Sequence, residues 1–222
     1  MQNVTFLKWI SQKDDIAIKH NVIKRAFDIF FSLFILIFFS PFYLIISLLV
    51  LLTSKGPIFY GHKRVGRGNQ IIKCWKFRTM IKDADKTLKA LLVKNPHLLL
   101  EWNRYYKLKK DPRITKVGKF LRKTSLDELP QFFNVLKGDL SVVGPRPCVP
   151  KEIVENYREK TNKILSIRPG ITGIWQISGR NNLTRDERVK LEELYIDNHN
   201  LLIDLKIVLK TIPLMLFSKG AY

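Results

Sequence analysis

The longest uncharged stretch of the chain, residues 29–54, reads IFFSLFILIFFSPFYLIISLLVLLTS. Its apolar part, residues 29–52, would cover about 36 Å as a straight helix, and the hydrocarbon core of a bilayer is ~30 Å thick. Ser40 and Pro41 lie at the midpoint, and a proline inside a helix removes a hydrogen bond and kinks or breaks the helix. The stretch predicts either a proline-kinked spanning helix or a re-entrant helix hairpin, with a buried core helix as a third interpretation.

Basic residues flank this stretch on both sides, so the positive-inside rule does not favour one orientation. Both flanks can stay in the cytoplasm only if the chain enters and leaves the membrane on the same face. On the residues alone both topologies stay open. The basic residues are Lys19, Lys24 and Arg25 before the stretch and Lys55, Lys63, Arg64 and Arg67 after it.

A second apolar stretch, residues 201–217, is interrupted by Asp204, Lys206 and Lys210. This pattern predicts an amphipathic helix in the membrane interface, with Pro213 bending its end. A helix that faces the core of the polar part is the alternative.

The charge of the chain points to an anionic partner. The 222 residues carry 39 Lys and Arg against 19 Asp and Glu, a net charge of +20. Residues 53–123 alone hold 20 basic and 4 acidic residues, a local net charge of +16. Nucleic acid, a phosphate-bearing substrate and an anionic lipid surface would each suit this balance, and a solvated basic face would need no ligand.

Cysteine and histidine usage excludes two classes of site. Two cysteines, Cys74 and Cys148, are too few for a disulfide framework, which favours a reducing environment. The four histidines are not paired at metal-ligand spacing, so a histidine-based zinc site is not expected.

The remaining pattern predicts an α+β fold that is mostly helical. Short strands at residues 58–60 and 71–75 flank a glycine-rich turn and form a small β-hairpin, and residues 83–110 form a helical region broken near Asn95 and Pro96. We expect three parts: a peripheral segment at residues 1–23, the membrane hairpin at 24–54, and a polar domain with interfacial helices at 55–222.

An acidic pair lies in residues 122–147, which read RKTSLDELPQFFNVLKGDLSVVGPRP. Asp127 and Glu128 stand at a predicted helix start, where Ser125 and Glu128 fit a capping box or Asp127 is itself the N-cap. Acids are favoured there without any chemistry. However, Arg122 and Lys123 are near in sequence, and Lys76 and Arg78 lie in the segment WKFRTM at 75–80. Carboxylates among cations suit chemistry on a phosphate-bearing substrate.

Two later loops bounded by glycine and proline carry further basic residues. Residues 144–147, GPRP, form a rigid turn that orients Arg146, and residues 168–180 carry Arg168, Gln176 and Arg180. Each loop can equally be an ordinary structural turn, with Trp175 in the core.

Taken in order, these motifs resemble the bacterial sugar transferase family, the monotopic phosphoglycosyl transferases. Each motif is weak alone, but the ordered set is specific and covers most of the chain. The motifs are KRAFD at 24–28, SP at 40–41, KFRTM at 76–80, DPRIT at 111–115, SLDELPQ at 125–131, NVLKGD at 134–139, GPRP at 144–147 and RPGITG at 168–173.

The resemblance implies a monotopic protein whose hairpin, bent at Ser40 and Pro41, enters one leaflet of the bacterial cytoplasmic membrane, with the active site on the cytoplasmic face. It implies transfer of a sugar-1-phosphate from a UDP-sugar to a polyprenyl phosphate such as undecaprenyl phosphate, with release of UMP. By the motif match Asp127 is the nucleophile and Glu128 the ligand of Mg²⁺. The matched cations near the phosphates are Arg78, Arg122 and Arg146, to which we add Arg168 and Arg180.

Further expectations rest on the same resemblance. The chain is similar to the short form of the family, without additional spanning helices ahead of the domain. The charged insert at residues 84–110 resembles that of relatives that transfer galactose or glucose phosphate. The lipid length, the glycan pathway and the oligomeric state stay open, with a homo-oligomer among the alternatives.

Two other functional classes stay open on the residues. One is a non-catalytic module that binds anionic lipid or nucleic acid. The acidic pair is not needed by such a module, and we find no aromatic-basic sheet or recognition-helix motif, so nucleic acid is not an expected partner. The other is a glycosyltransferase that moves the sugar without its phosphate and releases UDP.

Overall fold

The computed structural model describes residues 21–105, 107–179 and 182–217, and the fold is predominantly helical. By its contacts the chain divides into two compact units, each assembled from separate parts of the sequence. The described residues of the first unit fall within 21–39, 61–75 and 130–217, and those of the second within 40–60 and 76–129. The expected peripheral segment, residues 1–23, lies almost wholly outside the described residues.

The apolar stretch forms two helices, α1 (Val22–Phe38) and α2 (Ser40–Thr53). Asn21 caps α1 by accepting a hydrogen bond from the Lys24 amide at 2.9 Å. Pro41 falls in the first turn of α2, where its missing N–H costs little. The break therefore occurs at the predicted position, because Pro41 begins a new helix after Phe39.

No single helix among the described residues is long and apolar enough to cross a membrane. Helices α1 and α2 meet at a bend of 63°, and only the two together have the length and hydropathy that a membrane span needs. Many of their large apolar side chains are exposed: Phe30, Phe34, Ile37, Phe38, Leu44, Ile45, Leu48 and Leu52.

The first unit has the larger core, which surrounds a short parallel strand pair. Strands β3 (Ser141–Val143) and β4 (Gly170–Thr172) pair in register, Ser141 with Gly170 and Val143 with Thr172. This parallel pair was not predicted, because a strand of three residues shows no periodicity. The helices of this unit besides α1 are α6 (Gln131–Lys137), α7 (Pro150–Tyr157), α8 (Thr161–Ile164), α9 (Ile174–Ile177), α10 (Arg185–Asn198) and α11 (Leu201–Phe217).

The predicted hairpin is present as β1 (Phe59–Val65) and β2 (Ile71–Phe77), which form a two-stranded sheet. Helix α6 holds part of β2 through the buried Asn134. Its side chain accepts from the Trp75 amide at 2.9 Å and donates to the Lys73 carbonyl at 2.7 Å. This amide therefore satisfies one backbone donor and one backbone acceptor of the strand.

Helix α11 covers the predicted residues 201–217, with Pro213 inside the helix. Asp204 and Ile207 are buried, while Leu202 and Leu209 are exposed. The core-facing alternative thus holds for one face of α11, and its placement in the membrane interface stays a prediction.

The second unit contains α2, α3 (Ala84–Lys94), α4 (Pro96–Tyr105) and α5 (Lys116–Thr124). The predicted break at Asn95 and Pro96 separates α3 from α4. Helix α5 begins at its N-cap Thr115, whose hydroxyl accepts from the Gly118 amide at 2.9 Å. Among the described residues of this unit, the buried apolar side chains include Ile46, Val50, Phe77, Leu88, Leu121 and Leu129.

Candidate active site

The acidic pair lies in a 3₁₀ turn, Leu126–Glu128, between α5 and α6. Ser125 ends α5 in a left-handed conformation, and its side chain makes no capping hydrogen bond. The N-cap position of α6 is Pro130. Both predicted capping arrangements are therefore wrong: Ser125 closes the preceding helix, and Asp127 and Glu128 precede the next helix by a full turn.

Asp127 is a buried carboxyl group, only 7% exposed. The pKa of its carboxyl is raised to about 6, because desolvation by burial and the adjacent Glu128 raise it more than Lys76 and Arg122 lower it. Desolvation therefore outweighs the nearby positive charge. A carboxylate with few water contacts and a raised pKa is a better nucleophile than one in free solution.

Glu128 makes a close ion pair with Lys76, whose Nζ lies 2.5 Å from Glu128 Oε1. Both side chains are about one-third exposed, so solvent screening leaves the pair little net contribution to stability. The ion pair instead holds the positive charge of Lys76 beside both carboxylates of the acidic pair.

Arg122 projects from the last turn of α5 and donates from Nε to Thr79 Oγ1 at 2.9 Å. Desolvation lowers the pKa of this guanidinium, while Asp127 and Asp111 favour its charged form. The remaining guanidinium nitrogens can bind an oxyanion in the fork geometry that arginine offers to phosphate.

Arg78 is buried and donates through Nη2 to the Ser54 carbonyl. Within the described part of the chain, its Nε and Nη1 are buried without a hydrogen-bond partner. Buried donors are almost always satisfied in native proteins. The unpaired nitrogens therefore favour an oxyanion ligand at this residue.

An internal ion pair supports the surroundings of Arg122. Asp111 and Arg113 are both buried, with Arg113 Nη2 at 2.6 Å from Asp111 Oδ2 and Nε at 2.9 Å from Oδ1. The Arg113 guanidinium also lies 5.5 Å from the ring centre of Trp102. The DPRIT motif thus has a structural role beside the acidic pair.

The expected Mg²⁺ would take only part of its ligands from the protein. No group of three or more His, Cys, Asp or Glu side chains within the described residues could hold a metal ion. Glu128 offers a partly exposed carboxylate next to Asp127, and Mg²⁺ commonly takes one or two protein carboxylates with phosphate and water oxygens. The residues present therefore fit a Mg²⁺ that arrives with a phosphate-bearing substrate.

The other expected cations belong to the first unit. Arg146 is exposed, with its guanidinium 5.5 Å from the ring centre of the buried Trp175. Arg168 donates from Nε to the Gly138 carbonyl at 2.8 Å. Arg180 lies outside the described residues.

Sequence reasoning missed Glu192, which orients the GPRP turn of the first unit. This carboxylate is 2% exposed and accepts from the Arg146 amide at 2.8 Å and from the Tyr157 hydroxyl at 2.7 Å. Burial raises its pKa to about 7. No sequence signal reveals it, because it stands in a polar helix where a glutamate is expected to be exposed.

Comparison with known proteins decides the family. Residues 19–218 match the family described as bacterial sugar transferase. The chain belongs to this family. The predicted resemblance is therefore confirmed, and the chain is an enzyme of the sugar-phosphate transferase class.

Three relatives illustrate the similarity. The chain is 47% identical over 199 residues to the exopolysaccharide production protein ExoY of Sinorhizobium fredii, covering 90% of the chain and 88% of ExoY. It is 49% identical over 201 residues to the undecaprenyl-phosphate galactose phosphotransferase of Salmonella typhimurium, covering 90% of the chain and 42% of that protein. It is 41% identical over 211 residues to the UDP-glucose:undecaprenyl-phosphate glucose-1-phosphate transferase of Klebsiella pneumoniae, covering 90% of the chain and 42% of that protein.

Proposed function

We propose that this protein transfers a hexose-1-phosphate from a UDP-sugar to undecaprenyl phosphate, or a similar polyprenyl phosphate, and releases UMP. The product, a polyprenyl diphosphate sugar, would begin a lipid-linked glycan such as an exopolysaccharide. The observation that carries the proposal is the buried Asp127, whose carboxyl is influenced by Lys76, Glu128 and Arg122. The names of the relatives supply the substrate classes.

In the first step, a carboxylate oxygen of Asp127 attacks the phosphorus next to the sugar. A bond forms between this oxygen and phosphorus while the bond from phosphorus to the UMP oxygen breaks, and UMP leaves with the electron pair. The result is an acyl phosphate that carries the sugar. Cations offset the charge that grows on the leaving phosphate, and Arg122 and Arg78 have guanidinium nitrogens suited to this task.

In the second step, a phosphate oxygen of the polyprenyl phosphate attacks the same phosphorus. The bond between phosphorus and the Asp127 oxygen breaks, so the carboxylate is regenerated and the sugar-phosphate remains on the lipid. The reaction needs no net proton transfer at Asp127, which suits a carboxylate nucleophile without a general base.

Mg²⁺ fits this reaction as a cofactor held by Glu128, where it would neutralise charge on the diphosphate of the substrate. Lys76, which pairs with Glu128, would then share this carboxylate with the ion.

The membrane location belongs to the same proposal. The exposed apolar side chains of α1 and α2 suit insertion into one leaflet as a re-entrant hairpin. The basic flanks at both ends of the pair favour the cytoplasmic face for both. Such an anchor would keep the acidic pair near the phosphate of the lipid substrate.

A labelling experiment tests the covalent step. The purified protein is incubated with Mg²⁺ and UDP-galactose or UDP-glucose labelled on the phosphate next to the sugar, and label on the denatured protein is measured. We expect Asp127→Asn to abolish labelling and to lower turnover by at least about 10³-fold, as for other lost nucleophiles. Asp85→Asn, at an exposed position of the second unit, is the matched control and should label normally.

The released nucleotide separates this proposal from its rival. UMP supports sugar-phosphate transfer, while UDP would show that the sugar moves without its phosphate. Near-normal turnover by Asp127→Asn would rule out this residue as the nucleophile.

A further inference from the structure

A basic recess lies within the first unit, away in sequence from the acidic pair. It is an open recess lined by residues of α1, of the turn after β1 and of the segment around Arg168. We call it the basic recess after the charged and histidine side chains that line it: Lys24, Arg25, Arg67, Arg168, His199 and the single carboxylate Asp28.

Two of the arginines are held by the C-terminal end of α6. Arg25 donates to the Val135 and Leu136 carbonyls at 2.6 and 2.8 Å, and Arg168 donates from Nε to the Gly138 carbonyl at 2.8 Å. Cations are favoured at this end of a helix. Helix capping therefore explains why Arg25 and Arg168 are here.

The two guanidinium groups converge on one point. Gly138 has a φ of +94°, and a Cβ placed on it would lie 3.6 Å from Arg25 Nη2 and 4.0 Å from Arg168 Nη2. Both guanidinium groups therefore lie beside the backbone of Gly138.

Helix capping does not explain Arg67. This residue lies in a 3₁₀ turn, Arg67–Asn69. Two backbone hydrogen bonds anchor the turn: the Gly68 amide donates to the Leu165 carbonyl at 2.9 Å, and the Gly66 amide donates to the Gln70 carbonyl at 2.7 Å. Its guanidinium has no hydrogen-bond acceptor within the described part of the chain. A partly buried arginine is thus held beside two others without a counter-charge of its own.

The acids near the recess are already committed. Asp28 accepts from the Ser141 hydroxyl and the Val142 amide, both at 2.9 Å. Lys24 pairs with Asp204 at 2.7 Å. Asp204 therefore offsets Lys24, and Asp28 is the one carboxylate that lines the recess against three arginines.

The electrostatics agree with this geometry. Desolvation lowers the pKa of Arg67, and the charge of Arg25 lowers it further. The pKa of Arg168 is lowered by desolvation and then by Arg67 and Arg25, and the carboxylate of Asp28 opposes these effects only in part. A bound anion would relieve this repulsion.

We propose that the basic recess binds a phosphate group through Arg67 and Arg168, with Arg25 completing the positive field. Arginine forks match the oxygens of phosphate in a bidentate manner. The phosphate can come from the headgroup of an anionic phospholipid or from a soluble phosphate. The recess includes the first turn of α1, the start of the apolar helix pair, which suits either source at a membrane surface. This inference does not rest on the proposed transferase activity.

The first arm of the test uses soluble phosphate. The full chain, in a non-ionic detergent, is unfolded thermally at increasing inorganic phosphate, with chloride at matched ionic strength as reference. We expect a saturable rise in Tm. In Arg67→Gln the apparent Kd for phosphate should rise about tenfold, the scale of one charge-assisted hydrogen bond. Arg185→Gln, which removes an exposed arginine of the same unit, should behave as wild type.

The second arm uses lipid. The same variants are placed in nanodiscs of phosphatidylcholine with or without phosphatidylglycerol. Stabilisation by phosphatidylglycerol that Arg67→Gln loses, without a response to inorganic phosphate, identifies a lipid headgroup as the source. The reverse pattern identifies a soluble phosphate.

A purely structural role for Arg67 gives a different result, since Arg67→Gln would then lower Tm equally at every phosphate concentration and in both nanodiscs. That outcome overturns the proposal, as does a wild-type protein that responds in neither arm. If Arg67→Gln does not fold, Arg67→Lys keeps the charge without the fork and should weaken phosphate binding to an intermediate degree. Because binding and not turnover is measured, the result is independent of the proposed function.

Discussion

At the scale of single residues, burial decides the properties of the acidic pair. The sequence predicts two adjacent carboxylates near cations, but it does not distinguish the two. In the structure Asp127 is buried, whereas Glu128 is partly exposed and paired with Lys76. Adjacent side chains thus acquire different roles, because only one of them loses its contact with water.

The raised pKa of Asp127 predicts a pH dependence for the first chemical step. The carboxylate is the reactive form and its pKa is about 6, so the rate of covalent labelling should rise with pH through about 6 and level off above about 7. Single-turnover labelling with UDP-sugar alone measures this without the titrating phosphate of the lipid. A rate independent of pH between about 5 and 8 would contradict the assignment.

Lys76→Met provides the control for this pH profile. Lys76 lowers the pKa of Asp127, so its removal should move the rising limb to higher pH. Glu192 also has a raised pKa, about 7, but the charges that act on it are those of Arg146 and Arg188. If the rise of the labelling rate moves to higher pH in Lys76→Met, the group that titrates is Asp127.

The same burial predicts that Asp127 destabilises the fold. Its folded pKa of about 6 lies above the ordinary aspartate value of 3.8. Between these two pH values the unfolded state gives up the proton first, so the free energy of unfolding falls as pH rises. Asparagine does not ionise, so the Asp127→Asn variant does not lose stability by burying a charged carboxylate. We expect the variant to be more stable by about 1–3 kcal/mol above pH 7, as measured by denaturant unfolding.

This stability difference should shrink toward zero at about pH 3 and below, where the native and the unfolded carboxyl are both largely protonated. An inactive variant that is equally or less stable at pH 8 would show that Asp127 is not desolvated as described. Asp85→Asn should change stability little at either pH.

At the scale of secondary-structure elements, α5 is positioned by a close backbone contact. Gly118 is buried against Thr79, and a Cβ on Gly118 would collide with the Thr79 carbonyl. Thr79 in turn accepts the hydrogen bond from Arg122 on the same helix. The absence of a side chain at Gly118 thus allows α5 to bring Arg122 to this position.

Gly118→Ala should therefore separate α5 from residue 79. We expect a loss of about 1–3 kcal/mol in the free energy of unfolding, the usual cost of overpacking, together with reduced covalent labelling because Arg122 is displaced. Denaturant unfolding and the labelling assay measure the two effects. Lys119→Ala, at the next and exposed position, should change stability by less than about 0.5 kcal/mol.

Helix boundaries were predicted well where proline sets them and poorly where tertiary contacts do. Pro41 and Pro96 each lie at or near a helix start, as expected. Ser125 instead adopts a left-handed conformation, which its sequence does not reveal. The strands β3 and β4 are too short for a pattern and exist because their backbones pair with each other.

At the scale of the whole molecule, the apolar helix pair predicts the topology. If α1 and α2 form a re-entrant hairpin, the residues before and after the pair lie on one side of the membrane. Val22→Cys and Lys55→Cys, both at exposed positions, should then react with a membrane-impermeant maleimide from the same side of sealed vesicles. The native Cys74 and Cys148 are buried, so the wild type gives the background.

Labelling of these two positions from opposite sides would contradict the hairpin and favour a spanning, kinked helix. Removing both native cysteines in the same variants checks that the signal comes from the introduced thiols.

The sequence by itself determined the family, the apolar helix pair with its break at Pro41, and the identity of the acidic pair. These follow from residue type and local order, which act through backbone geometry and hydrophobicity along the chain. Only the tertiary structure decided that Asp127 is buried, that Lys76 pairs with Glu128, that Arg78 keeps unpaired buried nitrogens and that three arginines share one recess. The physical reason is that desolvation and charge repulsion depend on which distant segments come together, and a linear pattern does not contain that distance.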